Sequence, residues 1–290
     1  GILSVIGGWF ITAGAAFTIC AIITMIMFYG GTIAIILFVI LTFFILFKSN
    51  KFVRKNDIRI ISATDDDYPE PLRQASDRPH VIFVQGNVEA LNMRTLSVVG
   101  TREATPAGAH NCQLLISSLS EMVDDLSIVS GLAYGIDAAA HRAALASGVK
   151  TVAVVPSVLP SIAPASHRTL ANEILRSGGA LVSELHSTTH LNGSYFIARN
   201  RIIAAMSAGL VVVESPASGG SLATADMADS YGRVVMAVPG RMTDSNSFES
   251  SNFKAQHFAH TANLAVATLV EGNFYHATVG SAGYNAHLTR

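Results

Sequence analysis

The stretch VVESPASGGSLATADMA, residues 212–228, passes from an apolar strand end through a glutamate and a glycine-bearing turn into a small-residue segment with helical character. A turn of this build leaves backbone N–H groups free beside a helix N-terminus, which suits an anion. Working outward, the same unit recurs. Apolar runs at 96–99, 126–130, 151–155, 180–183, 210–214 and 234–238 read as buried strands. Helix-length stretches at 106–122, 136–147, 166–176, 196–207 and 221–231 lie between them. Strand and helix in alternation predict a parallel sheet with helices on both faces, an extended Rossmann-like α/β fold.

Ligands of such sheets sit beyond the carboxyl ends of the strands. The residues that follow each strand therefore matter: GTREATPAG (100–108), GLAYGID (131–137), SPASGGS (215–221) and PGRMTD (239–244). The loop after the third strand differs. PSVLPSIAP (156–164) has three prolines and no glycine, so it is stiff and offers no nest of donors.

At the other end of the chain, residues 1–47 contain no Asp, Glu, Lys or Arg. That length predicts a transmembrane helical hairpin within residues 1–50, with spans at about 2–29 and 32–47. The basic segment KSNKFVRK, residues 48–55, would place the following chain on the cytoplasmic face of a bacterial inner membrane. Residues 51–95 read as a lead-in, irregular where Pro69, Pro71 and Pro79 punctuate it and strand-like at VIFV (81–84); 96–252 form the Rossmann-like domain; 253–290 read as a C-terminal helix and tail. Two cysteines, Cys20 and Cys112, make no disulfide framework, and a net charge of −1 requires any nucleic-acid contact to come from a local basic patch.

No Walker lysine follows a glycine turn, and neither the dinucleotide fingerprint nor a hydrolase elbow is present. The carboxylates at the expected edge are Asp137, Glu184 and Glu214, the first suited to capping a helix and the others to orienting loops. The pairs His186/His190 and His257/His260 have helical spacing but no recognisable third ligand, so no metal is expected. In IARNRIIAAMSAG, residues 197–209, Arg199 and Arg201 fall at a helix start, either paired with a carboxylate or, with Arg102, facing phosphates.

Across residues 65–240 the chain resembles the DprA/Smf family of bacterial DNA-processing proteins. The resemblance is carried by YPEPL (68–72), VVGTREATPAG, IVSGLAYGIDAAAHRAAL (128–145), ARNRIIAAMSAGLVVVES, GGSLATADMA and YGRVVMAVPGR. It implies a Rossmann-like domain without a nucleotide cofactor or enzymatic activity, which binds single-stranded DNA, forms a homodimer and helps load the RecA recombinase during natural transformation. Carried onto this sequence, it implies DNA contacts at Gly100, Arg102, Gly131, Gly135, Arg199, Arg201, Gly219, Gly220, Ser221 and Thr224. This chain departs from the family's pattern in the loops 156–164 and 247–252 and in having the apolar segment where a soluble helical domain is usual, and no winged-helix domain is expected to follow. The alternative is a nucleoside-monophosphate phosphoribohydrolase of the lysine-decarboxylase-like family; these need a glutamate just past the glycine turn, where this chain has Ala225 and Asp226.

Overall fold

The computed structural model describes residues 56–187, 189, 192–216 and 219–238, the strands within 265–278, and scattered helical positions between 20 and 44. The chain divides into two compact units, Gly1–Lys55 and Asn56–Arg290. The expected membrane hairpin, and the inner-membrane location drawn from it, must be corrected: among the described residues no helix is long and apolar enough to cross a membrane. The longest described run there, residues 35–41, would span about 10 Å at 1.5 Å per residue. A hydrocarbon core is about 30 Å thick. Most of the two expected spans lies outside the described residues.

In the second unit the strands are β1 (Ile58–Ser62), β2 (Val81–Gly86), β3 (Arg94–Val99), β4 (Leu126–Ser130), β5 (Lys150–Val154), β6 (Ala180–Ser183), β7 (Gly209–Val212) and β8 (Val234–Ala237). They form one sheet in the order β1-β2-β6-β5-β4-β3-β7-β8. From β6 to β8 the neighbours are parallel, whereas β2 pairs antiparallel with both β1 and β6. The sheet is therefore mixed rather than wholly parallel. The lead-in supplies its two antiparallel strands, β2 at the stretch read as strand-like and β1 within the part read as irregular, and Tyr68 between them is fully buried with its hydroxyl donating to the Pro79 carbonyl at 2.6 Å.

The helices are α1 (Glu70–Arg73), α2 (Pro106–Met122), α3 (Ile136–Ala146), α4 (Arg168–Arg176), α5 (Ser194–Ala198), α6 (Asn200–Ala205) and α7 (Gly220–Ser230). Alternation along the strands divides the core in two. Ile128 packs with Cys112, Ile116 and Ala140 of α2 and α3, while its neighbour Val129 packs with Ile202, Ile203 and the α7 alanines Ala225 and Ala228. Period-two strands thus bury both faces, which is why they read as continuous apolar runs. At 253–290, where a helix was expected, the described residues are instead two antiparallel strands, β9 (Ala265–Val270) and β10 (Asn273–Thr278).

The chain winds from β3 out to β6, then returns to place β7 on the other side of β3. Between β3 and β7 the connections leave toward opposite faces, and a crevice opens at their carboxyl ends.

Inside the fold, His141 of α3 is fully buried against β5. The Thr151 hydroxyl donates to the Ile128 carbonyl at 2.7 Å, so the imidazole Nδ1–H donates to Thr151 Oγ1, also at 2.7 Å, and Nε2 has no partner. Burial, reinforced by the nearby Arg199 charge, pushes the His141 pKa down to about 3. In the unfolded chain the ring protonates near pH 6.5. The stability that His141 contributes by staying neutral is complete above that pH and is lost as pH falls toward 3, by up to about 1.4 kcal/mol per unit. Urea unfolding at pH 7 and pH 4.5 should show the parent losing about 2–3 kcal/mol more than His141→Asn over the same interval. Equal losses would place the titration elsewhere.

Candidate nucleic-acid interface

Three helix N-termini meet at the edge beyond β3, β4 and β7, and each N-terminus leaves N–H groups to be satisfied. Two of them are closed by the protein's own acceptors. At α2 the Thr105 side chain accepts from Gly108 N at 3.0 Å, and the buried Glu214 carboxylate accepts from Thr105 N at 3.0 Å. At α3 Ile136 N donates to the Thr101 carbonyl at 3.0 Å, and Asp137 in the first turn accepts from Ala133 N at 3.4 Å. The third, α7, has Gly219 at its N-cap and no side-chain cap among the described residues. Its dipole and N–H groups face a cavity of about 460 Å³ lined by residues 99–103, Asp137, Phe196, Arg199, Gly219, Gly220 and Ser221 among others.

The glycines of this edge divide by what surrounds them. A Cβ on Gly100 would lie 2.5 Å from Ile136 and 2.7 Å from the Glu214 carbonyl. One on Gly131 would overlap Arg199 Nη1 and lie 2.5 Å from Asp137 Oδ2. Gly135, at φ 72°, would overlap the Thr101 carbonyl. These three glycines let the first two turns pack against each other. Gly220 is different: it is exposed, and the nearest atom to its Cβ position is Asn200 Nδ2 at 3.9 Å. Packing does not require a glycine there, and the space above it is open to a ligand's backbone.

The arginines also separate. Arg199, between α5 and α6, is 4% exposed and donates through Nη1 to the carbonyls of Gly131 and of Val154, the latter at 2.7 Å. Its Nε is buried without a partner. Burial lowers its pKa to about 10, partly opposed by Asp137, so it remains a cation at neutral pH. Burial likewise raises the Asp137 pKa, and the Arg199 charge opposes that rise. Arg201 leaves the site altogether: it is ion-paired with Glu184 beyond β6, where burial raises the glutamate's pKa against the pull of the arginine. Arg102 is exposed at the rim, its guanidinium 5.7 Å from the centre of the Phe196 ring, with no ion pair among the described residues.

Of the ten positions carried over from the sequence, Gly100, Arg102, Arg199, Gly219, Gly220, Ser221 and Thr224 line the cavity. Gly131 and Gly135 hold the turns behind it, and Arg201 is elsewhere. The two hydroxyls are engaged within the protein: Ser221 Oγ donates to Ser215 Oγ at 2.5 Å, and Thr224 Oγ1 to the Gly220 carbonyl at 2.9 Å. What can meet an anion here is backbone N–H and guanidinium rather than hydroxyl. Sequence reasoning missed Phe196. Its only signal was position, three residues before Arg199, at the start of a stretch read simply as helix.

Among the described residues no group of three or more His, Cys, Asp or Glu side chains is placed to hold a metal ion. His190, His257, His260 and the loops 239–244 and 247–252 lie outside the described residues. The position where a phosphoribohydrolase needs its glutamate carries Ala225, fully buried, and Asp226, exposed and outside the cavity lining.

The family model described as DNA recombination-mediator protein A matches residues 59–271, and the chain belongs to that family. It is similar to DNA processing protein DprA of Streptococcus pneumoniae, 38% identical over 183 residues, covering 63% of this chain and 64% of that protein. It is also similar to Protein Smf of Escherichia coli, 40% identical over 181 residues, covering 62% of this chain and 48% of that protein. The matched part thus spans about half to two thirds of these relatives. The X-ray structure of S. pneumoniae DprA superposes with a TM-score of 0.65 at 32% identity, over 77% of this chain and 75% of that one. DprA of Helicobacter pylori, 24% identical with a TM-score of 0.59 over 70% of this chain and 94% of that one, shares the fold.

The contrast between the glycines is measurable. Gly131→Ala forces the second turn off Arg199 and should cost about 1–3 kcal/mol in urea unfolding, the usual penalty for overpacking. Gly220→Ala, in open space on a first helical turn, should change stability by less than about 0.5 kcal/mol.

Proposed function

We propose that the cavity between β3 and β7 binds the sugar-phosphate backbone of single-stranded DNA, and that the protein acts by holding DNA rather than by transforming it. The observation that carries this is the open N-terminus of α7 facing Arg102, whose guanidinium lies over the Phe196 ring. A phosphate on the Gly220 and Ser221 N–H groups would meet a fixed dipole and one forked, exposed cation. A ring beside it offers a face on which any base can stack, so recognition would tolerate sequence. The structure of the H. pylori relative concerns its single-stranded DNA binding mode, which supports the same reading.

The carboxylates at this edge support binding over catalysis. Glu214 is occupied by Thr105, and Asp137 is buried beside a cation and accepts from the backbone of its own turn. Homodimer formation and loading of RecA belong to this proposal as functions that the family resemblance implies. A role in receiving DNA during natural transformation follows from them.

The charge available to phosphate is smaller than the sequence promised. Arg201 is withdrawn and Arg199 is recessed, while Glu103 and Asp137 also line the cavity. On single strands each neutralised phosphate adds about 0.7 to the log–log salt slope. Arg102→Ala should therefore flatten that slope by about 0.7 and weaken oligonucleotide binding roughly 10- to 100-fold, irrespective of base composition. Fluorescence anisotropy over a salt series checks both. Unchanged affinity and slope would refute the site.

A further inference from the structure

We infer that Tyr134, on the turn whose Ala133 and Asp137 line this cavity, is a second nucleobase platform, a subsite for a base of the strand whose phosphate sits on α7; this rests on the single-stranded DNA reading above. Tyr134 is 50% exposed, yet it is held on two sides. Its ring packs edge-to-face on His167, with centroids 4.8 Å apart, and its hydroxyl lies 2.9 Å from Ser166 Oγ. His167 is itself buried and fixed, its Nδ1–H donating to the Leu132 carbonyl at 2.8 Å.

The backbone that carries the tyrosine is equally constrained. Leu132 has φ 56° and Gly135 φ 72°, and a Cβ on Gly135 would lie 2.6 Å from the Arg102 carbonyl carbon. The turn is thus locked onto the glycine turn that bears Arg102, while Ala133 and Asp137 on either side of it line the cavity. Immobilising a side chain costs conformational entropy, and half of this ring gains no burial in return. A rigid, half-exposed aromatic beside an anion seat is the element that single-strand binders use to stack bases.

The same geometry gives the proline-rich loop a purpose. Residues 156–164 cannot form a donor nest, but they lead directly into the short 3-10 turn Ala165–His167 that supplies both braces of Tyr134. Where that loop offers no backbone donors to phosphate, it positions an aromatic face for a base.

The test uses the full chain with Tyr134→Ala, Tyr134→Phe and Tyr134→Trp, fluorescently labelled oligothymidine, and an abasic strand of equal length. Tyr134→Ala should weaken oligothymidine binding by about 5- to 150-fold, the range of one base–aromatic stack. The salt slope should stay the same, because no charge is removed. Tyr134→Phe should bind within about twofold of the parent, and the abasic strand should bind the parent and Tyr134→Ala alike. The emission that Tyr134→Trp adds to that of Trp9 in the parent should be quenched by oligothymidine and not by the abasic strand, which keeps the test open should Tyr134→Ala fail to fold. Parent-like binding by Tyr134→Ala, an equal loss on the abasic strand, or an unquenched tryptophan overturns the platform. If Arg102→Ala still weakens binding in that case, the phosphate seat stands without it; if both variants bind like the parent, the seat itself fails.

Discussion

A buried guanidinium holds the carboxyl edge of this sheet together. Arg199 reaches from the α5–α6 junction across two strand ends, donating to the carbonyls of Gly131 after β4 and Val154 at the end of β5. A cation with so little exposure is costly to desolvate, and it persists where carbonyl oxygens and a nearby carboxylate compensate for lost water. Asp137 supplies that carboxylate, and Gly131 supplies the absence of a side chain that lets the guanidinium approach. The turns then dock: Gly100 against Ile136, and Gly135 against the backbone of Thr101 and Arg102.

The recognition surface follows from that closure. With α2 capped by Thr105 and Glu214, and the first N–H of α3 taken by the Thr101 carbonyl, the protein uses its own acceptors at two of the three converging helix ends; Asp137, suited by sequence to capping α3, instead accepts from Ala133 in the turn before it. The third, at α7, has no side-chain cap among the described residues. In the proposed reading, rigid turns would leave little of the site to be ordered on binding, and the exposed Arg102 on its aromatic rest would meet the phosphate. Polar side chains that looked like ligands in the sequence, Ser221 and Thr224, serve the local geometry of α7 instead.

Much of the fold was legible because burial on both faces forces continuous apolar runs. The strand spans at 126–130 and 180–183 and the helix at 106–122 were read at their observed bounds. What escaped had a physical cause. β1, at the sheet's edge, has three of its five residues outside the core and so lacks that signature, and the three prolines between it and β2 made the segment read as irregular, although the VIFV of β2 did read as strand-like. An uncharged, largely apolar composition over residues 1–47 matched a membrane hairpin in length, and no described helix is long and apolar enough to make a span.

By itself, the sequence determined the alternation of strand and helix, the edge where glycine turns gather, and the family to which the turns belong, since these depend on local periodicity and on residues that backbone geometry demands. Only the tertiary structure decided which donors are free. Arg199 and Arg201 are two positions apart and chemically identical, yet one is clasped by carbonyls and the other by Glu184, while Arg102, far away in the chain, is left facing the cavity. Whether a polar group is spent inside the protein or offered to a ligand depends on partners distant in sequence, and those meet only when the sheet is assembled.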